Sequence, residues 1–211
     1  GFLNIPVPII PKFRVGHYME LSAVKEFADL SEQELDRIET LVQNLLKITK
    51  LDAGAIVLEK ATENVADMMR DIELHFAYRA RQEKKEIILS GSDHLSLFCD
   101  RDWLNEAIDN IVKNAFDHTE SGATIRVAWK ELPSGVQIVI TDNGCGIHPE
   151  DIHHIFKRFY RSRFSKDTQG IGLGLPLAKA IIEAHGGLIE VESELGIGTS
   201  FIMNFPIPTK L

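Results

Sequence analysis

The feature that most constrains the fold of this 211-residue chain is an ordered series of four short clusters in its second half. One lies along a helix-like run, and the other three border the end or the start of a strand-like or helix-like run. The first, Asn110-Ile-Val-Lys-Asn114-Ala-Phe-Asp-His118, lies on a helical stretch from Asp102 to His118. The second, Thr141-Asp142-Asn143-Gly144-Cys145-Gly146-Ile147, directly follows the apolar run Val136 to Ile140. The third, Gly170-Ile-Gly172-Leu-Gly174-Leu175-Pro176, leads into a helical stretch ending at His185. Pro176 suits the start of that helix, where its missing amide is no loss. The fourth, Gly196-Ile-Gly198-Thr199, precedes the last strand-like run, Ser200 to Phe205.

Each cluster has a chemical reading and a plain one. Asn110 and Asn114 are four apart and share a helix face, with Glu106 one turn earlier. Neutral oxygens beside phosphates are good Mg2+ ligands, although a polar face turned to solvent would look the same. Asp142, at a strand end, can accept a hydrogen bond from the exocyclic amine of adenine. Gly144 and Gly146 then let the backbone turn tightly and approach a flat base. Asp-Asn-Gly is also a common turn signal. Gly172 and Gly174 expose backbone amides at a helix start, which makes a phosphate cradle. The run resembles G-x-G-x-x-G only loosely and no strand immediately precedes it, which disfavours a dinucleotide fold. Thr199 offers a hydroxyl beside a tight turn.

Around the clusters the pattern divides the chain in two. Residues from about Ser31 to Leu51 read as a helix opened by a Ser31–Glu34 capping box. Leu35, Ile38, Val42, Leu45 and Thr49 form a seam suited to a helical hairpin or bundle, or to an amphipathic helix on its own domain. Asp52-Ala53-Gly54 ends it. A boundary falls near Gly54 to Glu59, giving a helical segment over 1–55 and a second module over 56–211. In that module a helix from Val65 to Glu83 precedes strand-like runs at Ile87–Leu89, Leu97–Cys99, Ile125–Trp129, Val136–Thr141, Leu188–Glu192 and Ser200–Phe205. Mixed in this way, they predict an α+β fold, a sheet covered on one face by helices. A net charge of -8 without a basic stripe argues against nucleic acid as a partner. Cys99 and Cys145 do not suggest a disulfide framework, which fits a reducing, cytoplasmic compartment. No run approaches the ~20 apolar residues of a membrane span. The start, GFLNIPVPIIP, lacks the basic region of a signal peptide.

Taken in order, the four clusters resemble the N, G1, G2 and G3 boxes of the histidine-kinase ATPase family, with Ile155-Phe156-Lys157-Arg158-Phe159-Tyr160-Arg161 at the F-box position. Asp36-Arg-Ile-Glu-Thr-Leu-Val-Gln-Asn-Leu-Leu is similar to the second helix of that family's dimerisation hairpin, and Asp100 to Asp102 match its acidic lead-in. The resemblance covers about Leu41 to Phe205. It implies a Bergerat-type α/β sandwich, a mixed sheet backed by helices, preceded by a helical-hairpin segment. It also implies ATP and Mg2+ as cofactors. Asn114 would be the metal ligand, supported by Asn110 and Glu106, and Asp142 would read the adenine amine with Gly146. Residues 161–170 would form the ATP lid, anchored by Phe156 and Phe159. The nucleotide set would comprise Lys113, Asn114, His118, Asp142, Gly144, Gly146, Ile147, Phe156, Tyr160, Arg161, Lys166, Gly170, Gly172, Gly174, Leu175 and Thr199. Phosphoryl transfer to a histidine, and then to the aspartate of a response-regulator receiver domain, would be the function. The hairpin implies a homodimer, and any membrane anchor would lie outside this sequence.

Two departures stand out. Asp117 and His118 occupy positions where the family often has Lys and Tyr, so Lys113, Arg161 or Lys166 would supply the phosphate-facing charge. The family's phosphoacceptor motif, His-Glu/Asp-x-Arg/Lys-Thr-Pro, has no counterpart. If Tyr18-Met-Glu-Leu21 ends the first hairpin helix, Pro11 falls on the motif's proline and Pro6 on its histidine. His17 lacks the adjacent acid and reads as a surface histidine. The alternatives are therefore a nucleotide-binding pseudokinase without its acceptor, or a Bergerat ATPase using Glu106 as general base.

Overall fold

The computed structural model describes residues 21–162 and 171–206. The chain divides into two compact units, Gly1–Thr40 and Leu41–Leu211. Helix α1 runs over Leu21–Asp52, ten residues earlier than the capping-box reading places its start. Nothing in the stretch before Ser31 breaks a helix, since Ala, Leu, Lys and Glu dominate it. Ser31 is therefore mid-helix, and its Oγ donates to the Phe27 carbonyl at 2.8 Å instead of capping an amide. The predicted stop holds. Gly54 adopts φ +63°, and the Ala55 amide donates to Lys50 O at 2.9 Å.

In the second unit, strand β1 (Ala61–Asn64) leads into α2 (Val65–Glu83), whose first turn is capped by the Asn64 side chain accepting from the Asp67 amide. Strands β2 (Glu86–Gly91) and β3 (Ser96–Cys99) follow. Helix α3 (Arg101–Asp117) is capped by Asp100, which accepts from the Trp103 amide. Strands β4 (Thr124–Leu132) and β5 (Gly135–Asp142) form a hairpin. Helix α4 (Gly174–Ala184) precedes a second hairpin, β6 (Leu188–Glu194) and β7 (Gly198–Pro206).

Five strands make the main sheet in the order β2-β4-β5-β7-β6. Only β2 and β4 are parallel in it. The expected mixed sheet backed by helices is therefore what forms. One strand is misplaced by the sequence reading. β3 leaves the main sheet and pairs antiparallel with β1, which the pattern did not reveal. A four-residue strand of Ala, Thr, Glu and Asn carries almost no hydrophobic signal.

The sheet buries one face, as its alternation requires. Ile125, Val127 and Trp129 of β4, Val136, Ile138 and Ile140 of β5, and Phe201, Met203 and Phe205 of β7 point inward. They join Met68, Met69 and Ile72 of α2, Ile108, Ile111 and Val112 of α3, and Leu177, Ile181 and Ile182 of α4 in one core. The last turns of α1 contribute Ile48 and Leu51 to the same core. On the other face, polar pairs such as Gln137–Asn204 and Thr141–Ser200 cross between β5 and β7.

Candidate functional site

The site collects where α3 ends, β5 ends, α4 begins and the β6–β7 hairpin turns. Asp142 is the last residue of β5 and is buried to 5% exposure. Its Oδ1 accepts from the Gly144 amide at 2.9 Å. Burial pushes its carboxyl above the usual carboxylate range, while the Gly144 and Thr199 amides and the His118 ring pull it back. Asp142 and Thr199 face each other across β5 and β7, so the fourth cluster is brought directly beside the second.

The glycines are needed because backbone crowds them. A Cβ on Gly146, at φ +69°, would lie 2.1 Å from Glu194 O, and one on Gly198, at φ +145°, would lie 2.0 Å from Asp142 O. Gly144 is pressed against the His118 carbonyl in the same way, and the Cys145 amide donates to that carbonyl at 3.3 Å. These contacts tie the end of α3 to the loop after β5. They add a protein-internal reason for glycines that the sequence reading assigned to a ligand.

On α3, Asn110 and Asn114 are half-buried on one side, with Lys113 exposed and His118 half-buried. Asn110 Nδ2 donates to the Glu106 carbonyl at 2.8 Å. Its Oδ1 occupies the space a Cβ on Gly174 would need, 2.9 Å away. The asparagine face of α3 therefore meets the start of α4, and Gly174 leaves room for it. That start carries no side-chain cap, so its first amides point outward without an intrahelical partner. Glu106 is engaged by the Lys47 ammonium of α1, which also lies over the Trp103 ring.

The loop before the predicted lid is built on Asp151, which is buried and accepts from Tyr160 Oη and Ser162 Oγ. Phe156 meets Phe201 edge-on at 6.4 Å between centroids. Phe159, at φ +61°, donates its amide to Gly172 O, closing the loop across the third cluster. Arg161 is exposed, and Leu175 packs against the core. Lys166, Gly170 and most of the predicted lid lie outside the described residues, as does His17.

Two polar residues of this region carried no sequence signal of their own. Asp151 is one. Ser193, in β6, is the other: its hydroxyl meets the Ile147 amide at 2.8 Å, Gly198 O at 2.9 Å and Thr199 Oγ1 at 3.0 Å. Asp-Ile and Glu-Ser-Glu are ordinary surface sequences, and only the fold turns these side chains inward.

A family model described as "Histidine kinase-, DNA gyrase B-, and HSP90-like ATPase" matches residues 99–209. The sensor protein SrrB of Staphylococcus aureus is 31% identical over 195 residues, which is 92% of this chain and 33% of that protein. The chain thus spans about a third of the length of this relative. Full-length ShkA, solved in complex with AMPPNP, superposes with a TM-score of 0.77 at 26% identity, covering 90% of this chain and 40% of that one. Histidine kinase ThkA, solved in complex with the response regulator protein TrrA, has the same fold, with a TM-score of 0.73 at 24% identity over 92% of this chain and 55% of that one. With the boxes in sequence order and drawn together in space, this chain belongs to the histidine kinase-, DNA gyrase B- and HSP90-like ATPase family, on its sensor histidine kinase side.

Proposed function

We propose that the second unit binds Mg·ATP at the junction of α3, β5, α4 and the β6–β7 hairpin and presents its γ-phosphoryl group to a histidine. The observation that carries this reading is the convergence of a buried carboxylate, Asp142, with an asparagine face that meets the uncapped start of α4. Each part suits one part of a nucleotide. The Asp142 carboxylate accepts from the adenine amine. The free amides of α4 receive phosphate oxygens. The side-chain oxygen of Asn114, supported by Asn110, is a hard ligand of the kind Mg2+ prefers. Mg2+, when bound, neutralises charge on the phosphates. Lys113 and Arg161 add positive charge where the family's lysine is replaced by Asp117, which is itself paired with Arg79. Positioning and charge compensation are what phosphoryl transfer asks of a protein.

The Lys47–Glu106 ion pair favours the kinase reading over an ATPase with Glu106 as general base, because the carboxylate is turned to the α1 ammonium, the direction it would have to leave to meet an attacking water. Residues 1–55 would belong to the dimerisation segment, and 56–211 to the catalytic domain. Their partners would be a second copy of the chain and a response-regulator receiver domain, the latter supported by the ThkA–TrrA complex. Among the described residues no helix is long and apolar enough to cross a membrane, and a membrane anchor in a longer chain fits the length of the relatives.

Calorimetric titration with ADP and Mg2+ tests the site. The wild-type chain should bind. Asn114→Ala should lose at least tenfold in affinity when Mg2+ is present and much less when it is withheld. Titrations without heat from the wild type would sink the proposal. Incubation with γ-labelled ATP and a separate hairpin bearing an intact acceptor histidine should leave acid-labile, base-stable label on that hairpin. Binding without transfer would favour a pseudokinase.

A further inference from the structure

We infer that Ser193 is a positioning residue for base recognition, an inference that rests on the nucleotide reading above. Ser193 belongs to β6, outside all four glycine and asparagine clusters. Its hydroxyl nevertheless joins two of them. It accepts from the Ile147 amide, in the loop after Asp142, and meets both Gly198 O and Thr199 Oγ1 in the β6–β7 turn. A hydroxyl has one proton and two acceptor positions. Gly198 O can only accept, so the Ser193 proton goes there. The Ile147 amide then fills one acceptor position and the Thr199 hydroxyl donates to the other. All three capacities of the group are used, and no other neutral side chain of this size could satisfy that set.

The consequence reaches Asp142 by two routes. Thr199 stands directly opposite Asp142 in the β5–β7 pairing, and Ser193 fixes the Thr199 side chain. Ile147 closes the loop whose Gly144 amide holds Asp142 Oδ1, and Ser193 fixes the Ile147 amide. The same two segments are also joined by the Gly196 amide on Cys145 O at 2.8 Å, and by the close approach of Gly146 to Glu194 O. Those contacts hold the segments together as backbones. Ser193 joins them through a side chain that can be removed without touching the glycines. Ser193 therefore sets the angle at which the Asp142 carboxylate faces a base, and it acts through Asp142 without touching the nucleotide.

The test compares ADP with inosine diphosphate, which carries a carbonyl in place of the 6-amino group. Affinities of both are measured for the wild-type chain, Ser193→Ala and Ser193→Thr. Both ligands read the same folded fraction, so their ratio is independent of any loss of stability. The wild type should prefer ADP. Ser193→Ala should shrink that preference by about tenfold, equivalent to about 1.4 kcal/mol, mainly through weaker ADP binding. Ser193→Thr, which keeps the hydroxyl, should restore it. A wild-type ratio in Ser193→Ala overturns the positioning role. A wild-type chain that binds neither ligand overturns the nucleotide reading itself, and the positioning role with it.

Discussion

A carboxylate as buried as Asp142 costs free energy unless its charge is met by donors. The Gly144 amide meets it with Thr199 directly opposite across the β5–β7 pairing, and the geometry that allows this depends on Gly198. With φ +145° and the Asp142 carbonyl 2.0 Å from where a Cβ would sit, no side chain fits at residue 198 without moving β5 from β7. Gly198→Ala should therefore destabilise the chain by about 2–4 kcal/mol, read as a lower urea midpoint. Gly196, whose Cβ would meet open space, is the comparison. It too has a positive φ, of +80°, so Gly196→Ala should cost only the backbone strain, about 1 kcal/mol. Equal losses at the two positions would show that crowding is not the cause at 198.

At the scale of elements, α1 changes character along its length. Leu46 is exposed, while Ile48, two residues on, is 1% exposed and sits in the core of the second unit. Ile48→Ala removes buried methyl groups and leaves a cavity, at about 2–4 kcal/mol. Leu46→Ala should stay within about 0.5 kcal/mol. Thermal melts of the two variants decide this, and similar shifts would mean that the last turns of α1 are not part of the core of the second unit. The Lys47–Glu106 pair is expected to contribute at most about 1 kcal/mol, since both side chains are roughly one-third exposed.

For the molecule as a whole, one buried histidine couples folding to pH. His185 ends α4, is buried, and accepts the Asp100 amide at Nε2 over 3.1 Å, with Nδ1 against Ile181 O at 2.8 Å. Burial above all holds its pKa below the ordinary 6.5. The folded ring therefore binds fewer protons than the unfolded one just below that value. Its contribution is complete above pH 6.5 and is lost as pH falls beneath it. Urea midpoints should drop between pH 7 and pH 5, and His185→Gln should flatten that drop. An unchanged slope in the variant would assign it to other groups. The homodimer proposal is also tested at this scale. Leu35, Ile38 and Val42 leave an apolar stripe exposed on α1, as a helical seam that awaits a partner helix would. Ile38→Glu should convert a dimer to a monomer by sedimentation while nucleotide binding is kept.

Local signals were sufficient for most of the elements. Val65–Glu83 formed as the periodicity predicts, because a 3.6-residue repeat is written in the chain. Val136–Thr141 formed because an apolar run that ends in Asp-Asn-Gly must stop there. The order of Asn110, Asp142, Gly172 and Gly198 also sufficed to indicate a family. Local signals misled where two of them compete. Ser31 and Glu34 look like a cap, yet the helix formers before them extend α1, so the cap never forms. β1 was invisible because its side chains are polar and its stability comes from pairing with β3. What only the tertiary structure decided is which distant groups meet. The crowding of Gly146 by Glu194, the engagement of Glu106 by Lys47, and the three bonds of Ser193 all join residues from different elements. No periodicity records such contacts, because they depend on how the sheet twists and where each loop returns.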